Sequence, residues 1–487
     1  MSFTQAYPAP ESVFRFFYEM SQIPRPSGQE AAIAGYLTAF AESRGLENYH
    51  DAANNVIIIK EASAGREQEE PVILQGHMDM VCEKEAGCAK DMEKEGLDLV
   101  LDGDWLSAEG TTLGGDDGIA VAIALALLDD ETLSHPRLEC VFTTAEETGM
   151  DGALALDPAP LKGHLLLNID SEEEGVLTAG CAGGVEIKLH APLPREAGKT
   201  ENASVIRLSL SGLTGGHSGS MIRCGRANAD VVMIRVLREL SSRQEIRLIS
   251  LSGGNKHNAI PRDAEAVILA DDPEAALQQA ALLGDVLKAE YNVTDPKLQL
   301  TAETAVCGEE EPVPAAVSAS DTKKLLALLS SVPDGVQRMN QQLSDQLETS
   351  LNLGILRSAE DGFYAEYLLR SSSDSRLEEL KERILYLASC AGFSAECFGA
   401  YPAWEFVPES AFRDKMVRIF REQYKKEPVV EAIHAGLECG LLSKKIPGLD
   451  AVSIGPDIPD IHTPQERLSV SSVERTYAYI RRILEEK

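Results

Sequence analysis

Four short motifs rich in acidic residues or histidine end or follow apolar runs of strand length in this 487-residue sequence. They are His77-Met-Asp79, Gly114-Gly-Asp-Asp-Gly118, Glu146-Glu147, and Asp170 after the run at 165–169. A metal ion needs several ligands that converge on one point, and strands ending at one edge of a sheet can supply them. With His462 far along the chain, the set offers two imidazoles and three carboxylates as ligands. Asp79 and Glu146 are not needed as ligands and remain available for other roles. The sequence therefore predicts a site for two zinc ions and a catalytic base.

Two of these motifs place neighbouring side chains where they can do different work. Residues two apart along a strand face the same side, so Asp79 can orient a ligating His77. Successive strand residues diverge, so one of Glu146 and Glu147 can hold a metal ion while the other faces a substrate water. Taken alone, each pair is more often part of an ordinary solvated loop.

The aspartates at 116 and 117 lie between glycines and precede an apolar segment of helical length. Glycine lets the backbone crowd against a bound ion, and the two oxygens of one carboxylate can bridge two cations about 3.5–4 Å apart. The ordinary alternative is a helix cap, and two adjacent aspartates allow one to cap and the other to ligate. Neither Asp170 nor His462 is distinctive by itself. The joint occurrence of all these motifs in one α/β frame favours the metal site.

The elements that must position these residues alternate between strands and helices. Predicted strands lie at 55–60, 71–75, 138–143 and 165–169, and predicted helices lie at 11–20, 29–44 and 118–128. The segment Pro26-Ser27-Gly28 is predicted to cap the second helix. This alternation is typical of a three-layer α/β domain with a mostly parallel sheet, in which each acidic motif lies at or after the carboxyl end of a strand.

A second domain is predicted at 185–398, after a glycine-rich stretch at 180–184. Within it, a strand, a strand and a helix at 246–251, 265–269 and 273–291 recur roughly one hundred residues later at 351–356, 364–369 and 375–391. That spacing indicates one duplicated small α/β module. The last segment, 399–487, contains a glycine-rich turn at 434–440 and carries His462. We therefore assign 1–184 and 399–487 to one domain, into which the duplicated module is inserted.

Composition excludes several classes of partner and reaction. The formal net charge of −33 disfavours binding to nucleic acid or anionic membranes, which depends on Lys and Arg. No apolar run approaches the roughly 20 residues that span a bilayer, and residues 1–20 hold no signal-peptide core, so we expect a cytoplasmic protein. Nine scattered cysteines indicate neither disulfides nor a thiolate zinc site. The absence of a nucleophilic-serine turn and of a P-loop disfavours serine hydrolysis and phosphoryl transfer.

Taken in order, the motifs closely resemble those of the M20 metallopeptidases, and among these the sequence is most similar to the cytosolic aminoacyl-histidine dipeptidases. The resemblance extends from end to end. It includes three further motifs, namely Gly180-Cys-Ala-Gly-Gly184, Thr214-Gly-Gly-His-Ser-Gly219 and His434-Ala-Gly-Leu-Glu-Cys-Gly440.

The resemblance implies a role for each residue of the predicted metal site. It assigns two ligand sets that share a bridging carboxylate: His77 and Asp170 for one zinc ion, Glu147 and His462 for the other, and Asp116 with a water between them. Asp79 would orient His77, and Glu146 would be the general base. The family pattern also implies a cis peptide after Asp116. Asp117 stands where many relatives have Asn, which makes the site one charge more acidic. Cobalt or manganese would suit the same ligands.

The resemblance identifies the predicted second domain as a lid and dimerisation domain. In it, His217 would stabilise the oxyanion, supplied in dimeric relatives by the other subunit. Asn258 and Arg370 look like contacts to the carboxylate and backbone of a substrate. Glu438 would line the substrate pocket, although a buried structural acid is an equal alternative.

The implied function is metal-dependent hydrolysis of dipeptides by a homodimer. The expected preference is for aminoacyl-histidine substrates of the carnosine type. The alternatives are an aminotripeptidase or an N-acyl-amino-acid deacylase of the same fold, and a non-catalytic binding protein.

Overall fold

The computed structural model describes residues 7–196, 204–304 and 314–487. Its helices are α1 (Glu11–Ser21), α2 (Ala31–Ser43), α3 (Gly115–Asp129), α4 (Asp151–Ala155), α5 (Ala229–Arg243), α6 (Pro273–Glu290), α7 (Ala319–Ser331), α8 (Asp374–Cys390), α9 (Ala411–Tyr424), α10 (Glu438–Lys445) and α11 (Val470–Glu485), with a 3-10 turn at Ile222–Cys224. Its first strands are β1 (Glu47–His50), β2 (Val56–Lys60), β3 (Val72–His77), β4 (Leu99–Asp102), β5 (Trp105–Ala108), β6 (Leu138–Thr143), β7 (Leu165–Asn168) and β8 (Val176–Cys181). The strands β9 to β16 are β9 (Gly183–Ala191), β10 (Arg195–Glu196), β11 (Ser204–Ser211), β12 (Gly216–His217), β13 (Ile246–Gly253), β14 (Ala259–Ile260), β15 (Ala264–Ala270) and β16 (Gln299–Thr304). The last strands are β17 (Ala316–Val317), β18 (Gly335–Met339), β19 (Leu347–Ala359), β20 (Gly362–Ser371), β21 (Ser394–Tyr401), β22 (Val429–Ile433), β23 (Asp450–Ser453) and β24 (Arg467–Ser469).

The described residues form two compact units. The first contains Met1–Cys181, Phe406–Ala432 and Leu437–Lys487. Its eight-stranded sheet has the order β1-β2-β6-β3-β7-β23-β8-β22. The central strands β6, β3, β7 and β23 are parallel neighbours, and β2 pairs with β6 in the antiparallel sense. Every residue of β3 and β6 is buried, which is typical of parallel strands inside an α/β domain.

One hydrophobic core joins the sheet of this unit to helices α1, α3, α9 and α11. Helix α3 packs on β3 and is buried on all sides, since residues 119–128 are each at most 3% exposed. This burial holds the start of α3, including Asp116 and Asp117, against the middle of the sheet. Among the described residues, no helix is long and apolar enough to cross a membrane.

The second unit contains Ala182–Glu405 and Ile433–Gly436. Its larger sheet has the order β16-β11-β15-β13-β19-β20-β9-β21, with β18 beside β19. The two copies of the predicted module are β13, β15 and α6, and then β19, β20 and α8. Each strand pair is antiparallel, the copies adjoin where β13 pairs with β19, and each is extended by one more antiparallel strand, β11 or β9. This symmetric strand order is consistent with a duplicated module.

The second unit includes three short segments that the sequence analysis placed in the first domain, namely 182–184, 399–405 and 433–436. The backbone N–H of Ala182 donates to the carbonyls of Ile433 and Ala435 at 3.0 and 3.1 Å. His434 Nε2 lies 2.7 Å from Ser350 Oγ. These contacts between distant parts of the sequence assign residues 433–436 to the second unit, and a sequence pattern does not reveal them.

The predicted cap of α2 at Pro26-Ser27-Gly28 is wrong. The residue before the helix is Glu30, which makes no side-chain cap hydrogen bond. Ser27 Oγ donates instead to Asp79 Oδ2 at 2.7 Å, and Glu30 accepts the backbone N–H of Ala145 at 3.0 Å. The polar side chains of this segment therefore hold the loops that follow β3 and β6.

The glycine-rich stretch at 180–184 joins β8 to β9. The two units divide within it, between Cys181 and Ala182, three residues before the predicted start of the second domain at 185. A Cβ on Gly183 would lie 2.5 Å from the backbone nitrogen of Ala403, so glycine is needed for close packing rather than for a loop. The turn predicted at 434–440 ends early because α10 begins at Glu438.

A buried carboxyl group in the second unit gives a pH-dependent test of stability. Asp230 in α5 is fully buried, and neither of its carboxylate oxygens has a hydrogen-bond partner among the described residues. Burial, and then the charge of Asp334, raises the pKa of Asp230 well above its usual value. Because the unfolded chain loses this proton at a lower pH than the folded protein, rising pH weakens the fold.

We therefore expect Asp230→Asn to raise the melting temperature at pH 8 by roughly 2–4 °C and at pH 5 by less. Differential scanning calorimetry of both proteins at both pH values measures this difference. An equal gain at the two pH values would contradict the assigned cause.

Candidate metal centre

The predicted ligands follow strands that lie side by side. In the parallel register, His77 at the end of β3 is opposite Thr143 at the end of β6, and Gln75 is opposite Asn168 at the end of β7. The carboxyl ends of these three strands therefore meet at one edge of the sheet, and the three motifs that follow them begin there. The start of α3 reaches the same edge, since Asp117 and Asp116 both contact His77 there.

Two groups of possible metal ligands share one aspartate. His77, Asp116 and Asp170 form one group, and Asp116, Glu147 and His462 form the other, with one ligand atom of each residue within 4.8 Å of the rest of its group. Asp116 Oδ1 lies 3.1 Å from His77 Nε2, and Asp116 Oδ2 lies 3.1 Å from His462 Nε2. The two oxygens of Asp116 thus face two different histidines, as expected of a carboxylate that bridges two cations.

The remaining distances complete each group. Asp170 Oδ1 lies 3.6 Å from His77 Nε2, and Glu147 Oε2 lies 3.0 Å from His462 Nε2. Imidazole nitrogens and carboxylate oxygens are ligands that zinc, cobalt and manganese accept. The structure therefore brings together all five residues that the sequence analysis assigned as metal ligands.

The electrostatics of the cluster also fit bound cations. Burial alone would lower the pKa of His77, but its hydrogen bonds to Asp116 and Asp170 raise it well above the usual value. Hydrogen bonds to Asp116 and Glu147 raise the pKa of His462 to about 11. Burial raises the pKa of Asp170 to about 6 despite its hydrogen bond with His77. The protein groups by themselves would thus draw protons onto both histidines, and divalent cations would take the place of those protons.

Asp79 links His77 to the turn that carries Glu146 and Glu147. It is fully buried, and its Oδ1 lies 3.3 Å from His77 Nδ1. Its two oxygens also accept the backbone N–H groups of Glu146 and Glu147 at 3.2 and 3.4 Å. Asp79 therefore orients the imidazole, leaving Nε2 to the ligand side, and anchors the glutamate turn.

Glu146 lies in the same cluster as the metal ligands. Burial, and then the charges of Asp170 and Glu438 against that of His77, raises the pKa of Glu146 well above its usual value. A raised carboxyl pKa suits proton transfer near neutral pH. Glu146 also forms a third group of possible ligands with His77 and Glu147, so the metal content of a variant is needed to separate the role of base from that of ligand.

The backbone around the centre has unusual conformations at two residues that are not glycine. Ala145, just before the glutamate pair, has φ 51°, and His462 has φ 60°. The left-handed region is uncommon for such residues and persists where surrounding contacts impose it. The peptide bond between Asp116 and Asp117 is cis, as the resemblance implied.

Asp117 is buried and does not belong to either group of possible metal ligands. Its Oδ2 accepts the backbone N–H of His77 at 3.2 Å and lies 2.5 Å from where a Cβ on Gly76 would be. Burial, and then the charge of Asp170, raises the pKa of Asp117 well above its usual value. Both effects favour the neutral form of this carboxyl group and so oppose the extra negative charge expected from the second aspartate.

Glu438 lies next to the ends of β3 and β6. It is fully buried, and its Oε2 accepts hydrogen bonds from Gln75 Nε2 at 2.6 Å and from Thr143 Oγ1 at 2.5 Å. Its Oε1 has no hydrogen-bond partner among the described residues. Burial raises the pKa of Glu438 to about 8 against the hydrogen bond from Thr143. These contacts fit a structural acid, and the free Oε1 keeps the predicted substrate contact open to test.

In the second unit, the predicted oxyanion-stabilising His217 and the predicted substrate-binding Asn258 are neighbours through the backbone. His217 is in β12, which pairs with β14 directly after Asn258, and the backbone N–H of Ser218 donates to the Asn258 carbonyl at 2.9 Å. Partial burial, and then the charge of Arg370, lowers the pKa of His217.

Arg370 is the third predicted residue in this unit. It is 7% exposed and donates to the hydroxyl of Tyr401 at 3.0 Å. Burial, and then the charges of Arg370 and His217, lowers the pKa of His434 to about 3. His434 was not assigned a role from the sequence, and its position near Arg370 and His217 is a feature that sequence reasoning missed.

Several positioning residues were missed from the sequence. Arg25 and Glu466 contact the turn that carries Asp116, and no spacing pattern connects them to it. The glycines of that turn had been explained by a bound ion. A Cβ on Gly114 or on Gly118 would instead lie 2.6 or 2.5 Å from Arg25 Nη2, so both glycines make room for a guanidinium.

Comparison with known proteins agrees with this geometry. Residues 73–486 match the family model described as Peptidase family M20/M25/M40. Over 480 residues the sequence is 36% identical to the cytosol non-specific dipeptidase of Escherichia coli (strain K12), covering 98% of each chain. The crystal structure of aminoacylhistidine dipeptidase from Vibrio alginolyticus superposes with a TM-score of 0.92 at 33% identity, covering 100% of this chain and 99% of that one. A tripeptidase from Staphylococcus aureus shares the fold, with a TM-score of 0.54 at 15% identity over 98% of each chain.

Proposed function

The chain belongs to the M20/M25/M40 peptidase family, and from that premise we propose that it hydrolyses dipeptides with the help of two divalent metal ions. The preferred substrates are aminoacyl-histidine dipeptides. Two similar proteins support this proposal, one named a cytosol non-specific dipeptidase and the other an aminoacylhistidine dipeptidase. The requirement for two metal ions rests on the position of Asp116. Its two oxygens lie 3.1 Å from two different histidines, His77 and His462.

Five residues would hold the two ions, and their chemistry favours zinc, with cobalt or manganese as possible replacements. They are His77 and Asp170 on one side, Glu147 and His462 on the other, and Asp116 between them. When bound, the ions would lower the pKa of a shared water and polarise the carbonyl of the scissile peptide.

The side chains of the protein would supply the other functions. Glu146 would take a proton from the attacking water on its carboxylate and pass it to the leaving amine. Asp79 would keep His77 in one orientation through Nδ1. His217 would donate a hydrogen bond to the developing oxyanion, and its lowered pKa favours a neutral imidazole with one N–H for that purpose. Asn258 and Arg370 would contact the backbone and carboxylate of the dipeptide, and Glu438 would line its pocket.

The two units would divide these tasks. We assign the predicted segments 1–184 and 399–487 to the catalytic domain, and 185–398 to an inserted lid and dimerisation domain. The similarity to a dipeptidase named for the cytosol supports a cytoplasmic location. The expected assembly is a homodimer with small peptides as substrates.

A substrate panel tests the reaction class. We expect the kcat/KM for alanyl-histidine and β-alanyl-histidine to exceed those for tripeptides and N-acetyl amino acids by at least about tenfold, since a factor of ten needs only about 1.4 kcal/mol of selective binding. Highest activity on a tripeptide would show an aminotripeptidase. Highest activity on an N-acyl amino acid would show a deacylase. If the metal-loaded protein hydrolysed none of these compounds, a non-catalytic binding protein would be the remaining alternative.

A complementation experiment tests whether the active unit is a dimer with a shared site. If His217 acts on the site of the other subunit, a mixed dimer of Glu146→Ala and His217→Ala chains contains one site with both residues intact. We expect mixing the two inactive proteins under conditions of subunit exchange to restore up to about a quarter to a half of the activity. Absence of any recovery, with exchange confirmed by differently labelled chains, would contradict a shared site.

A further inference from the structure

A buried arginine connects two of the turns that carry the metal-site residues. Arg25 is 2% exposed. Its Nη1 donates to the carbonyls of Met78 and Asp79 at 3.0 and 3.2 Å, and its Nη2 donates to the carbonyl of Gly114 at 2.6 Å. The backbone carbonyl of Arg25 also accepts the N–H of Met80 at 3.1 Å. One guanidinium thus ties the turn after β3 to the turn before α3.

A buried glutamate holds the second of these turns by its amides. Glu466 is 2% exposed. Its Oε2 accepts the N–H groups of Leu113 and Gly114 at 2.8 and 3.0 Å, and its Oε1 accepts those of Gly115 and Asp116 at 2.7 and 3.3 Å. Four successive backbone donors are therefore satisfied by one carboxylate. Hydrogen bonds to a charged acceptor are stronger than those between neutral groups.

The turn is shaped around these two side chains. Gly114 has φ 64° and, like Gly118, has no space for a Cβ beside the Arg25 guanidinium. A Cβ on Gly115 would lie 3.3 Å from Glu466 Oε1. The close approach of the Arg25 guanidinium and the Glu466 carboxylate to the backbone is a more specific reason for these glycines than chain flexibility.

We propose that Arg25 and Glu466 form a brace that sets the position of Asp116 relative to His77 and Asp79. Arg25 holds the Gly114 carbonyl and Glu466 holds four amides of the same turn, so both the acceptor and the donor groups of its backbone are held by buried side chains. Loss of either partner leaves buried backbone groups unpaired and lets Asp116 move. The brace is made of positioning residues, since neither side chain is among the metal ligands. This inference rests on the proposed dinuclear site.

Metal affinity is the direct readout of the brace. Glu466→Gln keeps the shape of the side chain but turns an NH2 group toward two backbone donors. Arg25→Lys keeps the charge but loses the fork that reaches two turns. We expect both full-length variants to bind Zn²⁺ about 10- to 100-fold more weakly than the unaltered protein, measured by competition with a fluorescent chelator. We also expect kcat to fall more than KM rises.

Two matched variants control for general loss of stability. Glu139→Gln alters another buried glutamate that accepts backbone N–H groups, those of Lys162 and Gly163, at the amino end of β6, about 13 Å along the strand from its carboxyl end. Arg66→Lys alters another buried arginine, which is 3% exposed and donates to the carbonyls of Ser134 and Leu484 at 2.7 and 2.6 Å, on the side of the amino end of β6. Zn²⁺ affinity should be unchanged in both controls.

The possible results separate the brace from the metal site itself. Two equivalents of Zn²⁺ bound with unchanged affinity by Glu466→Gln and Arg25→Lys would overturn the brace and leave the dinuclear site intact. An equal loss of affinity in the Glu139→Gln control would also overturn it. Failure of the unaltered protein to bind two ions would instead overturn the proposed function. Should Arg25→Lys not fold, Gly118→Ala displaces the guanidinium without removing it, and unchanged Zn²⁺ affinity in that variant would overturn the brace.

Discussion

Glu146→Gln protein is expected to keep both metal ions and to hydrolyse dipeptides on the order of 10²- to 10⁴-fold more slowly than the unaltered enzyme. The amide has nearly the shape of the carboxylate but cannot accept the proton of the attacking water. The two ligand groups that share Asp116 do not include Glu146, so their composition is unchanged. Metal content by inductively coupled plasma mass spectrometry and kcat on one dipeptide measure both expectations.

The neighbouring glutamate is the matched control for this experiment. Glu147 lies 3.0 Å from His462 Nε2 and belongs to one of the two ligand groups, so Glu147→Gln should lose metal as well as activity. If Glu146→Gln also lost a metal ion, Glu146 would be a ligand, as the third group with His77 and Glu147 allows. A normal rate in Glu146→Gln would remove the general-base assignment altogether.

Asp116→Ala is expected to have the largest effect on the metal centre, with less than one ion retained per chain and no detectable hydrolysis. Asp116 is the one residue common to both ligand groups, and each of its oxygens faces a different histidine. Its removal takes one ligand from each ion at once. It also leaves Glu147 and Asp170 without the cations that would offset their repulsion.

Asp117→Asn is the control for the Asp116 variant, because it changes the adjacent residue and preserves shape. Its side-chain oxygen can still accept the N–H of His77, as Asp117 does at 3.2 Å. We expect it to bind two ions and to keep its rate within about tenfold of the unaltered enzyme. Loss of both ions in Asp117→Asn, or their retention in Asp116→Ala, would show that the ligand has been assigned to the wrong aspartate.

The metal ligands could be predicted from sequence because each is close to a long buried element. His77 ends β3, Glu147 follows β6, and Asp170 follows β7, and parallel strands bring their carboxyl ends to one edge. His462 has no such strand immediately before it, so it became a candidate only together with the other motifs and through the resemblance to a family. The left-handed conformation that brings it to Asp116 depends on contacts of its own loop.

The residues that support the ligands could not be predicted, because their partners are backbone groups far away in sequence. Arg25 contacts carbonyls 53, 54 and 89 residues away, and Glu466 contacts amides 350 to 353 residues away. Such bonds leave no side-chain pattern or spacing. The hydrogen bond from Ser27 to Asp79 was missed for the same reason. From the sequence, Ser27 had been interpreted as part of a helix cap.

Anomalous X-ray diffraction at the zinc edge, from crystals of the zinc-loaded protein, tests the central claim most directly. Two peaks are expected in each chain, one among His77, Asp116 and Asp170 and the other among Asp116, Glu147 and His462, separated by about 3.5–4 Å. A single peak, no peak, or a His462 side chain remote from Asp116 would contradict the two-metal account of this peptidase.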